Sequence, residues 1–341
     1  MRPGFVGGFG VRASLVVPGL ALALTGLGCS ADASNERSRI SARIDVPGHP
    51  FRIAAGKRYV WVLSRGPEGA CTGRPCTVFR IDPRTNRVAG EPTPLPKDAW
   101  ELAVGAGSVW VTQFDGRLLR LDARTGQISR IAERPIYFGS TVVFGGGFVW
   151  TGNDDGRYRR GSTVAKLDPA DNRVVGTPLA VGGPEGPQSI TFGGGALWVA
   201  DHSGWLVKVD PSTFSVAARQ RLKFGPHGVA ATDRAVYVAD AHANRLLEAD
   251  PETAKIRRVA KLSPGSIFPV LGAGSIWSSS AAAWTGPTGG RDDRVLRIDP
   301  ESLRIAEILH VGGRVPSVSF GFGSAWAPDQ TGRVVRITPA G

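Results

Sequence analysis

Short apolar runs recur along the chain at strand length. The segments "GAGSVWVTQFDGRLLRLDART" (105–125) and "GGGALWVADHSGWLVKVDPST" (193–213) share one pattern: a glycine-rich turn, a run around an aromatic, a second run ending in Asp. Runs of four to eight apolar residues bounded by Gly, Pro and Asp are typical of β-strands. Sustained helical periodicity is missing, so the pattern predicts an all-β chain.

The aromatic residue of the first run marks a repeat that occurs seven times. Its spacing runs from 39 residues (Trp198 to Tyr237) to 49 (Trp61 to Trp110), and the full series is Trp61, Trp110, Trp150, Trp198, Tyr237, Trp277 and Trp326. A period of about 40–50 residues built only from strands indicates propeller blades. The spacing predicts a seven-bladed β-propeller over residues 40–341.

Each repeat predicts four strands, here A to D from the centre outwards. A glycine-rich turn joins A to B, because a tight hairpin requires positive φ. Strand C ends in an Asp that opens the C–D turn, where its side chain can cap the turn while a following Pro presets φ. These positions are Asp82, Asp122, Asp168, Asp210, Asp250 and Asp299, with Thr338 in the last repeat.

The last repeat ends after strand C, and the N-terminal segment can supply its strand D. In "ISARIDVPGHP", the residues Ile40, Ile44 and Val46 align with Ile305, Ile308 and Val311 of "IAEILHVGGRVP", with one residue of slip. Pairing the two ends closes the ring and removes exposed strand edges. We therefore expect four-stranded blades, the last completed by the N-terminal strand.

Residues 1–28 have the features of a secretory signal. Two arginines precede and flank a broken apolar run, "ASLVVPGLALALTGLG", which is too short to span a bilayer. "GLGC" is similar to a lipobox and predicts lipidation of Cys29, followed by a polar tether over 29–39. The alternative is cleavage after "ADA", which would release a secreted protein. Either site predicts an extracytoplasmic location, and the first predicts a cell-membrane lipoprotein.

Cys71 and Cys76 in "CTGRPC" are the remaining cysteines. Disulfides persist in exported proteins, so we expect this pair to close a small loop. The alternative is a metal clip, which has too few ligands without a neighbouring His.

The net charge of +12 raises the question of a polyanionic partner. Strand C carries a charge before its last apolar residue, and the series is Arg80, Arg120, Lys166, Lys208, Glu248, Arg297 and Arg336. One cation per blade suggests a role in the architecture, as cation–π partners of the strand-B aromatics. Nucleic acid is therefore disfavoured as a partner, and polyanion binding is the weakest of three functional hypotheses, after ligand binding at a mouth and metal-dependent catalysis.

A binding mouth is expected where strands A begin and strands B end, since these points share one face. Three long B–C loops lie there, over 64–77, 153–163 and 278–294. The predicted mouth residues are Arg52, Trp100, Glu101, Gln188, Asp154, Asp201 and Asp329. The aspartates, with Asp240, either converge on Mg²⁺ or Ca²⁺ or simply cap their turns.

The units "GxGxVWV…LxRIDPxT" resemble the YncE-type and streptogramin-lyase-like (virginiamycin B lyase-like) seven-bladed propellers. Residues 225–250 are also similar to NHL-type blades. The lyase resemblance implies a divalent metal and a His–acid pair, which would be His227 and Asp240, with His202 as a further catalytic candidate. Asp201 and Asp240 would then be metal ligands. Alternatively, His227 is a turn residue of "GPHG".

These observations predict an exported, lipid-anchored propeller that binds a small molecule, a glycan or an envelope protein at its mouth. A metal-dependent lyase or lactonase at the central opening is the alternative. No cofactor is assigned beyond that possible Mg²⁺ or Ca²⁺. We expect a monomer that contacts the membrane only through its lipid.

Overall fold

The computed structural model describes residues 37–66, 76–96, 98–132, 139–153, 161–282 and 292–340. The predicted signal peptide, Cys29, Cys71 and Asp154 lie outside these ranges. The described chain consists of antiparallel sheets, and none of its helical segments has the length and apolarity needed to cross a membrane. The prediction of an all-β chain is confirmed.

Seven sheets form the blades, and their strands A to D follow one another along the chain except in blade 7, whose strand D is the N-terminal strand. Their bounds are: blade 1, β2 (His49–Ala55), β3 (Val60–Arg65), β4 (Thr77–Asp82), with β5 (Arg87–Val88) and β6 (Thr93–Pro94) sharing the place of strand D; blade 2, β7 (Ala99–Gly105), β8 (Ser108–Gln113), β9 (Leu118–Asp122), β10 (Ile128–Ala132); blade 3, β11 (Gly139–Gly145), β12 (Phe148–Asn153), β13 (Thr163–Leu167), β14 (Leu179–Ala180); blade 4, β15 (Pro187–Gly193), β16 (Ala196–Asp201), β17 (Trp205–Asp210), β18 (Ser215–Arg221); blade 5, β19 (Gly228–Ala231), β20 (Val236–Asp240), β21 (Arg245–Ala249), β22 (Ile256–Lys261); blade 6, β23 (Val270–Gly272), β24 (Ser275–Ser279), β25 (Arg294–Ile298), β26 (Ile305–His310); blade 7, β27 (Ser319–Gly321), β28 (Ser324–Asp329), β29 (Arg333–Thr338), β1 (Arg39–Asp45).

The ring closes through the N-terminal strand, as predicted. Strand β1 pairs antiparallel with β29, and the innermost strand β27 contacts β2 of blade 1. One detail of the predicted alignment is wrong: Ile44 pairs with Val334 as Leu309 pairs with Val295, so Ile44 corresponds to Leu309 and not to Ile308. No slip is needed, because the two strands carry a β-bulge at the same place, after the equivalent residues Ile40 and Ile305.

The glycine-rich A–B turns follow from two separate constraints. In blade 2, Ala106 and Gly107 both have positive φ (50° and 68°), which the right-handed twist of a two-residue hairpin requires. Gly105, just before them, has a different reason. A Cβ on Gly105 would stand 2.0 Å from Cγ of Phe144 on the next blade, so only glycine allows this approach of neighbouring blades.

The core lies between blades and is anchored by the strand-B aromatics, as the repeat predicts. Trp110 and Trp150 are fully buried, and their indole N–H groups donate to the carbonyls of Gly105 and Gly145 at 3.2 and 2.9 Å. A buried Trp needs such a partner for its N–H group. Trp277 and Trp326 make the same bond, so these four tryptophans both fill the space between blades and tie strand B to the end of strand A.

Five of the six strand-C cations bind two blades together. Arg120 of blade 2 donates to the carbonyl of Pro169, in the C–D turn of blade 3, at 2.6 Å. The equivalent contacts are Arg80 to Arg124 O, Lys166 to Pro211 O, Lys208 to Glu252 Oε2 and Arg336 to Pro83 O. Four of these cations also lie 5.0–5.9 Å from the Trp ring centroid of their own blade, which confirms the cation–π prediction for Arg120, Lys166, Lys208 and Arg336. We call these contacts the inter-blade latch.

Blade 5 is the exception in charge but keeps the latch. Its strand C carries Glu248, which accepts a hydrogen bond from Arg258 of strand D. Arg258 in turn donates to the carbonyl of Pro300 in the next blade at 2.9 Å. In blade 5 the guanidinium therefore comes from strand D instead of strand C, and its acceptor is again the proline carbonyl in the C–D turn of the next blade. This conservation of the contact despite a reversed charge supports its structural role.

Candidate functional site

β-bulges shape the inner strands at the predicted mouth. The register of strand A shifts between Pro50 and Arg52, between Ala99 and Glu101, and between Pro187 and Ser189. The extra residues are Phe51, Trp100 and Gln188. A bulge re-aims the side chains beside it and is common next to functional sites. Two predicted mouth residues, Trp100 and Gln188, thus occupy the same structural position in blades 2 and 4.

Arg52 and Glu101 form an ion pair between blades 1 and 2. Arg52 Nε lies 2.8 Å from Glu101 Oε2, and the Arg52 side chain is only 6% exposed. Its guanidinium carbon lies 5.2 Å from the ring centroid of Trp100 and 5.5 Å from that of Phe268, a residue of the connection into blade 6. Residues of three blades therefore converge around one buried cation.

Burial acts on the carboxyl group of this pair. It raises the pKa of Glu101, although Arg52 pulls the pKa in the opposite direction, and the second oxygen accepts a hydrogen bond from the Leu102 amide at 3.1 Å. Desolvation disfavours a charged carboxylate unless partners compensate for the lost water. The cation and the amide supply part of that compensation and hold Glu101 in place.

Two more arginines stand beside the ion pair. Arg65, at the end of β3, places its guanidinium 4.0 Å from the ring centroid of Phe51 and 5.9 Å from that of Trp100. Burial lowers the pKa of Arg65, as does repulsion from Arg52 and Arg314, while Asp98 opposes them. Arg314 precedes β27 and also has a pKa lowered by burial. We call Arg52, Arg65 and Arg314 the arginine cluster.

The predicted catalytic histidines lie together with a third one. The ring centroid of His227 is 5.3 Å from that of His202 and 4.7 Å from that of His242, both edge-on. Burial, together with repulsion from His242 and His202, lowers the pKa of His227 to about 4, and Asp240 opposes this shift. Among the described residues the Nδ1 atoms of His202 and His227 have no hydrogen-bond partner. His227 is therefore neutral at physiological pH.

The acid predicted to act with His227 is committed to an arginine. Asp240 Oδ2 accepts from Arg245 Nη2 at 2.5 Å and from its Nε at 3.0 Å, while Oδ1 accepts from the Ala243 amide at 3.1 Å. All of these contacts lie within one B–C turn. Asp240 and His227 are near each other, but the carboxylate is held by the turn.

Asp201 and Asp329 have the same kind of environment. Asp201 is fully buried and accepts from the Ser162 hydroxyl and from the amides of Gly183 and Ser203, the latter two at 3.3 and 3.1 Å, and burial raises its pKa. Asp329 accepts from the Thr331 amide at 2.9 Å and from Arg333 Nε at 3.1 Å. Both side chains cap their B–C turns.

The described residues do not provide a set of ligands for the predicted metal ion. Within the described ranges, no group of three or more His, Cys, Asp or Glu side chains is arranged to hold a metal ion. Asp201 and Asp240 lie on different blades, each with its oxygens engaged as above. Asp154 lies outside the described residues, so Mg²⁺ or Ca²⁺ at the mouth stays a prediction.

A cleft opens beside His202, between the B–C turn of blade 4 and the two connections that enter and leave this blade. Its volume is about 590 Å³, and its lining includes Glu185, Arg221, Lys223 and Phe224. The carboxylate of Glu185 lies 4.0 Å from His202 Nε2. Sequence reasoning did not find this cleft, because its walls come from three connections without a repeat signal.

The structure thus brings together three of the predicted mouth residues, Arg52, Trp100 and Glu101. It adds Arg65, Arg314 and Phe268, which sequence reasoning missed. The available signal was position: Arg65 ends a strand B, and the other two lie in connections that enter a strand A. Cys76 is fully buried and disulfide-bonded, while Cys71 is outside the described ranges, so their pairing stays a prediction.

Comparison with known proteins supports the fold alone. No protein-family model matches the chain, and no curated protein matches its sequence. Among solved structures, the chain is similar to the WD40 β-propeller domain of Doa1, with a TM-score of 0.66 and 12% identity over 88% of this chain and 97% of that one. At this identity the similarity shows a seven-bladed β-propeller and no activity.

Proposed function

We propose that this propeller is a binding protein that takes its ligand at the mouth formed by blades 7, 1 and 2. The ligand classes we consider are a small molecule, a glycan and an envelope protein. As proposed here, the chain is exported and anchored by a lipid on Cys29. We also propose that the chain is related to the YncE-type propellers, which its repeats resemble.

One observation carries the proposal: charged and aromatic side chains from several blades converge at the mouth. Arg52, Glu101 and Trp100 lie within about one side-chain length of each other, and Phe268 reaches them from blade 6. Binding sites combine an apolar lining with a few fixed polar groups. Stability alone does not explain a buried ion pair, because apolar residues of the same volume often stabilise a fold equally well.

The second candidate is a metal-dependent lyase or lactonase acting at the central opening. The contact of His202, His227 and His242 favours it, because neutral imidazoles are good metal ligands and bases. The engagement of Asp240 by Arg245 weighs against it, since the acid of the proposed pair is already neutralised. We therefore rank binding above catalysis.

A ligand screen with the mature propeller tests the proposal. A library of small molecules and oligosaccharides is read by thermal shift and by native mass spectrometry, because a ligand that binds only the folded state must raise its apparent stability. We expect at least one hit to be lost in Trp100→Ala and kept in Trp205→Ala. Trp205 is a matched control: it is a partly buried Trp flanked by Arg219 and Arg221, outside the mouth. Hits that survive in both variants would overturn the proposed site.

The same screen addresses catalysis. Each hit is incubated with the protein and Mg²⁺ or Mn²⁺, and product formation is followed by mass spectrometry. Turnover that disappears in His227→Ala would establish the enzyme reading in place of simple binding.

A further inference from the structure

We propose that the cleft beside His202 binds a small organic molecule that carries a carboxylate or phosphate group on an apolar body. The cleft lies on blade 4, and its lining comes from the B–C turn of that blade and from the connections that enter and leave it. It is separate from the mouth formed by blades 7, 1 and 2, so this inference does not rest on the proposed function. Its volume of about 590 Å³ is that of a site for one small molecule.

Hydrogen bonds fix the walls of the cleft relative to one another. The Leu222 amide, in the connection that leaves blade 4, donates to the carbonyl of Gly204 in the B–C turn at 2.9 Å. The Glu185 amide, in the connection that enters this blade, donates to the Ser203 hydroxyl at 2.9 Å. The three segments thus form a preformed hollow, and a ligand would not lose affinity by having to order them.

Arg221, the last residue of β18, is held in place with one edge of its guanidinium available. Its Nη1 donates to the carbonyls of Ser203 and, at 3.5 Å, Gly204, and its guanidinium carbon lies 5.0 Å from the Trp205 ring centroid. Its Nε and Nη2 have no acceptor among the described residues. A guanidinium fixed in this way can present that second edge to the two oxygens of a carboxylate or phosphate.

Lys223 supplies a second cation to the lining, two residues after Arg221. It is exposed, and its ammonium group has no hydrogen-bond or ion-pair partner among the described residues. Glu185 is the one carboxylate among the described residues that line the cleft, and its carboxylate lies 4.0 Å from His202 Nε2. Within the described chain neither cation pairs with Glu185, so an added anion would balance the charge. Coulomb attraction near a protein surface is about fourfold stronger than in bulk water.

Apolar side chains complete the lining. Leu222 is buried and Phe224 is half-buried on the connection that leaves the blade, and Pro184 lies on the one that enters it. The Phe224 ring centroid lies 5.0 Å from the guanidinium carbon of Arg245, whose charge is already paired with Asp240. These surfaces favour a ligand with an apolar body, which they would orient while the two cations bind its anionic end.

The repeat shows that this combination is particular to blade 4. Leu222 has counterparts in three other blades, each an apolar residue whose amide donates to the B–C turn of its own blade: Leu262, Val311 and Val46. The residues that follow these counterparts, in the place of Lys223, are Ser263, Gly312 and Pro47, and those in the place of Phe224 are Pro264, Gly313 and Gly48. A cation followed by an aromatic residue stands at this place in blade 4 alone of the four, so the architecture of the blades does not require it.

The test is the binding of defined probes by the whole protein at constant ionic strength. Phenyl phosphate, benzoate and the neutral benzyl alcohol are titrated separately by isothermal calorimetry in sodium chloride. We expect at least one of the two anions to bind more tightly than benzyl alcohol, and the tighter anion identifies the group. Lys223→Gln should weaken its binding about tenfold or more, the loss expected for one hydrogen bond to a charged group. Absence of binding by both anions, or equal binding of benzyl alcohol, would overturn the inference.

Lys261→Gln is the matched control for charge. Lys261 ends strand D of blade 5 as Arg221 ends that of blade 4, and it is exposed and lies outside the cleft. This variant removes the same charge as Lys223→Gln and should leave binding unchanged. Equal losses in the two variants would show attraction by net charge alone, which also contradicts a site in the cleft.

A measurement on the unaltered protein does not depend on how the variants fold. Acetic anhydride acetylates exposed lysines, and peptide mass spectrometry reports each site. The tighter anion should slow acetylation of Lys223 several-fold and leave that of Lys261 unchanged, and an unprotected Lys223 would refute the site. Probe binding that persists in Trp100→Ala belongs to the cleft, whatever the ligand screen finds at the mouth. Probe binding lost in Trp100→Ala would instead assign the probe to the mouth and overturn the inference.

Discussion

The inter-blade latch makes a quantitative prediction for Arg120. Its guanidinium donates to Pro169 O at 2.6 Å, to Ala170 O at 3.2 Å and to the Ser108 hydroxyl at 2.8 Å, and it lies 5.2 Å from the Trp110 ring centroid. Arg120→Met keeps the length of the aliphatic stem and removes all four interactions. The free energy of unfolding should fall accordingly.

The magnitude follows from the kind of bond removed. A hydrogen bond from a charged donor contributes about 1.5–3 kcal/mol net, and a cation–π contact at a partly exposed site about 0.5–1 kcal/mol. Because water can reach the half-exposed carbonyls after the substitution, we count roughly one full bond plus the ring contact and expect a loss of about 2–4 kcal/mol. For roughly 300 residues unfolding together, that corresponds to a Tm lower by about 3–6 °C.

The assay is urea unfolding followed by tryptophan fluorescence, with Arg130→Met as the matched control. Arg130 lies opposite Arg120 on strand β10 of the same blade, and its side chain is exposed. We expect the control to change stability by less than about 0.5 kcal/mol. Arg120→Lys should lose less than Arg120→Met, since Lys166 makes the same contact to Pro211 with Nζ at 2.7 Å. Equal effects of Arg120→Met and Arg130→Met would refute the latch.

Three further predictions concern other parts of the chain. Gly105→Ala should lower the free energy of unfolding measured in urea by about 1–3 kcal/mol, because the new Cβ would overlap Phe144. Adding Phe144→Ala should recover part of this loss. Additive losses in the double variant would contradict the overlap as the cause. Turn amides and Arg257 lower the pKa of Asp250 to about 2, so the contribution of this carboxylate to stability is present above pH 4 and is lost as the pH falls from about 4 to 2. The urea midpoint of Asp250→Asn should therefore depend less on pH over that interval than the midpoint of the unaltered protein. An unchanged pH dependence would count against this role of Asp250. Cys29→Ser should abolish incorporation of a labelled fatty acid in a bacterial host, whereas absence of label in the unaltered protein would favour cleavage after "ADA".

The fold could be predicted because every blade repeats the same local information. Seven aromatics, the glycine turns and the Asp-Pro turns all indicate one architecture, so an error in one blade is corrected by the others. The alignment of the closing strand failed at Ile44 because the neighbouring residues Ile308 and Leu309 are both apolar, so either of them could be matched to it. Apolar spacing alone cannot show whether a one-residue offset is a slip or a bulge.

The candidate site could be predicted only in part, because its residues come from two kinds of position. Arg52, Trp100 and Glu101 lie on inner strands, whose place in the blade follows from the repeat. Phe268 and Arg314 lie in connections of irregular length, and their approach to Arg52 depends on backbone paths that no periodicity defines. The turn aspartates were open to two interpretations, metal ligand or turn cap, and in the structure Arg245, five residues after Asp240, donates to that carboxylate.

Departure from the repeat is therefore the best indicator of function in this chain. A side chain that recurs from blade to blade serves something that the blades share, and five strand-C cations do so by joining neighbouring blades. That requirement accounts for part of the net charge of +12 without a polyanionic partner. Arg52, Trp100 and Glu101 follow no such rule, because the bulges of two inner strands bring them together at one mouth, where Phe268 joins them. Their convergence is the strongest reason to seek the ligand at this mouth.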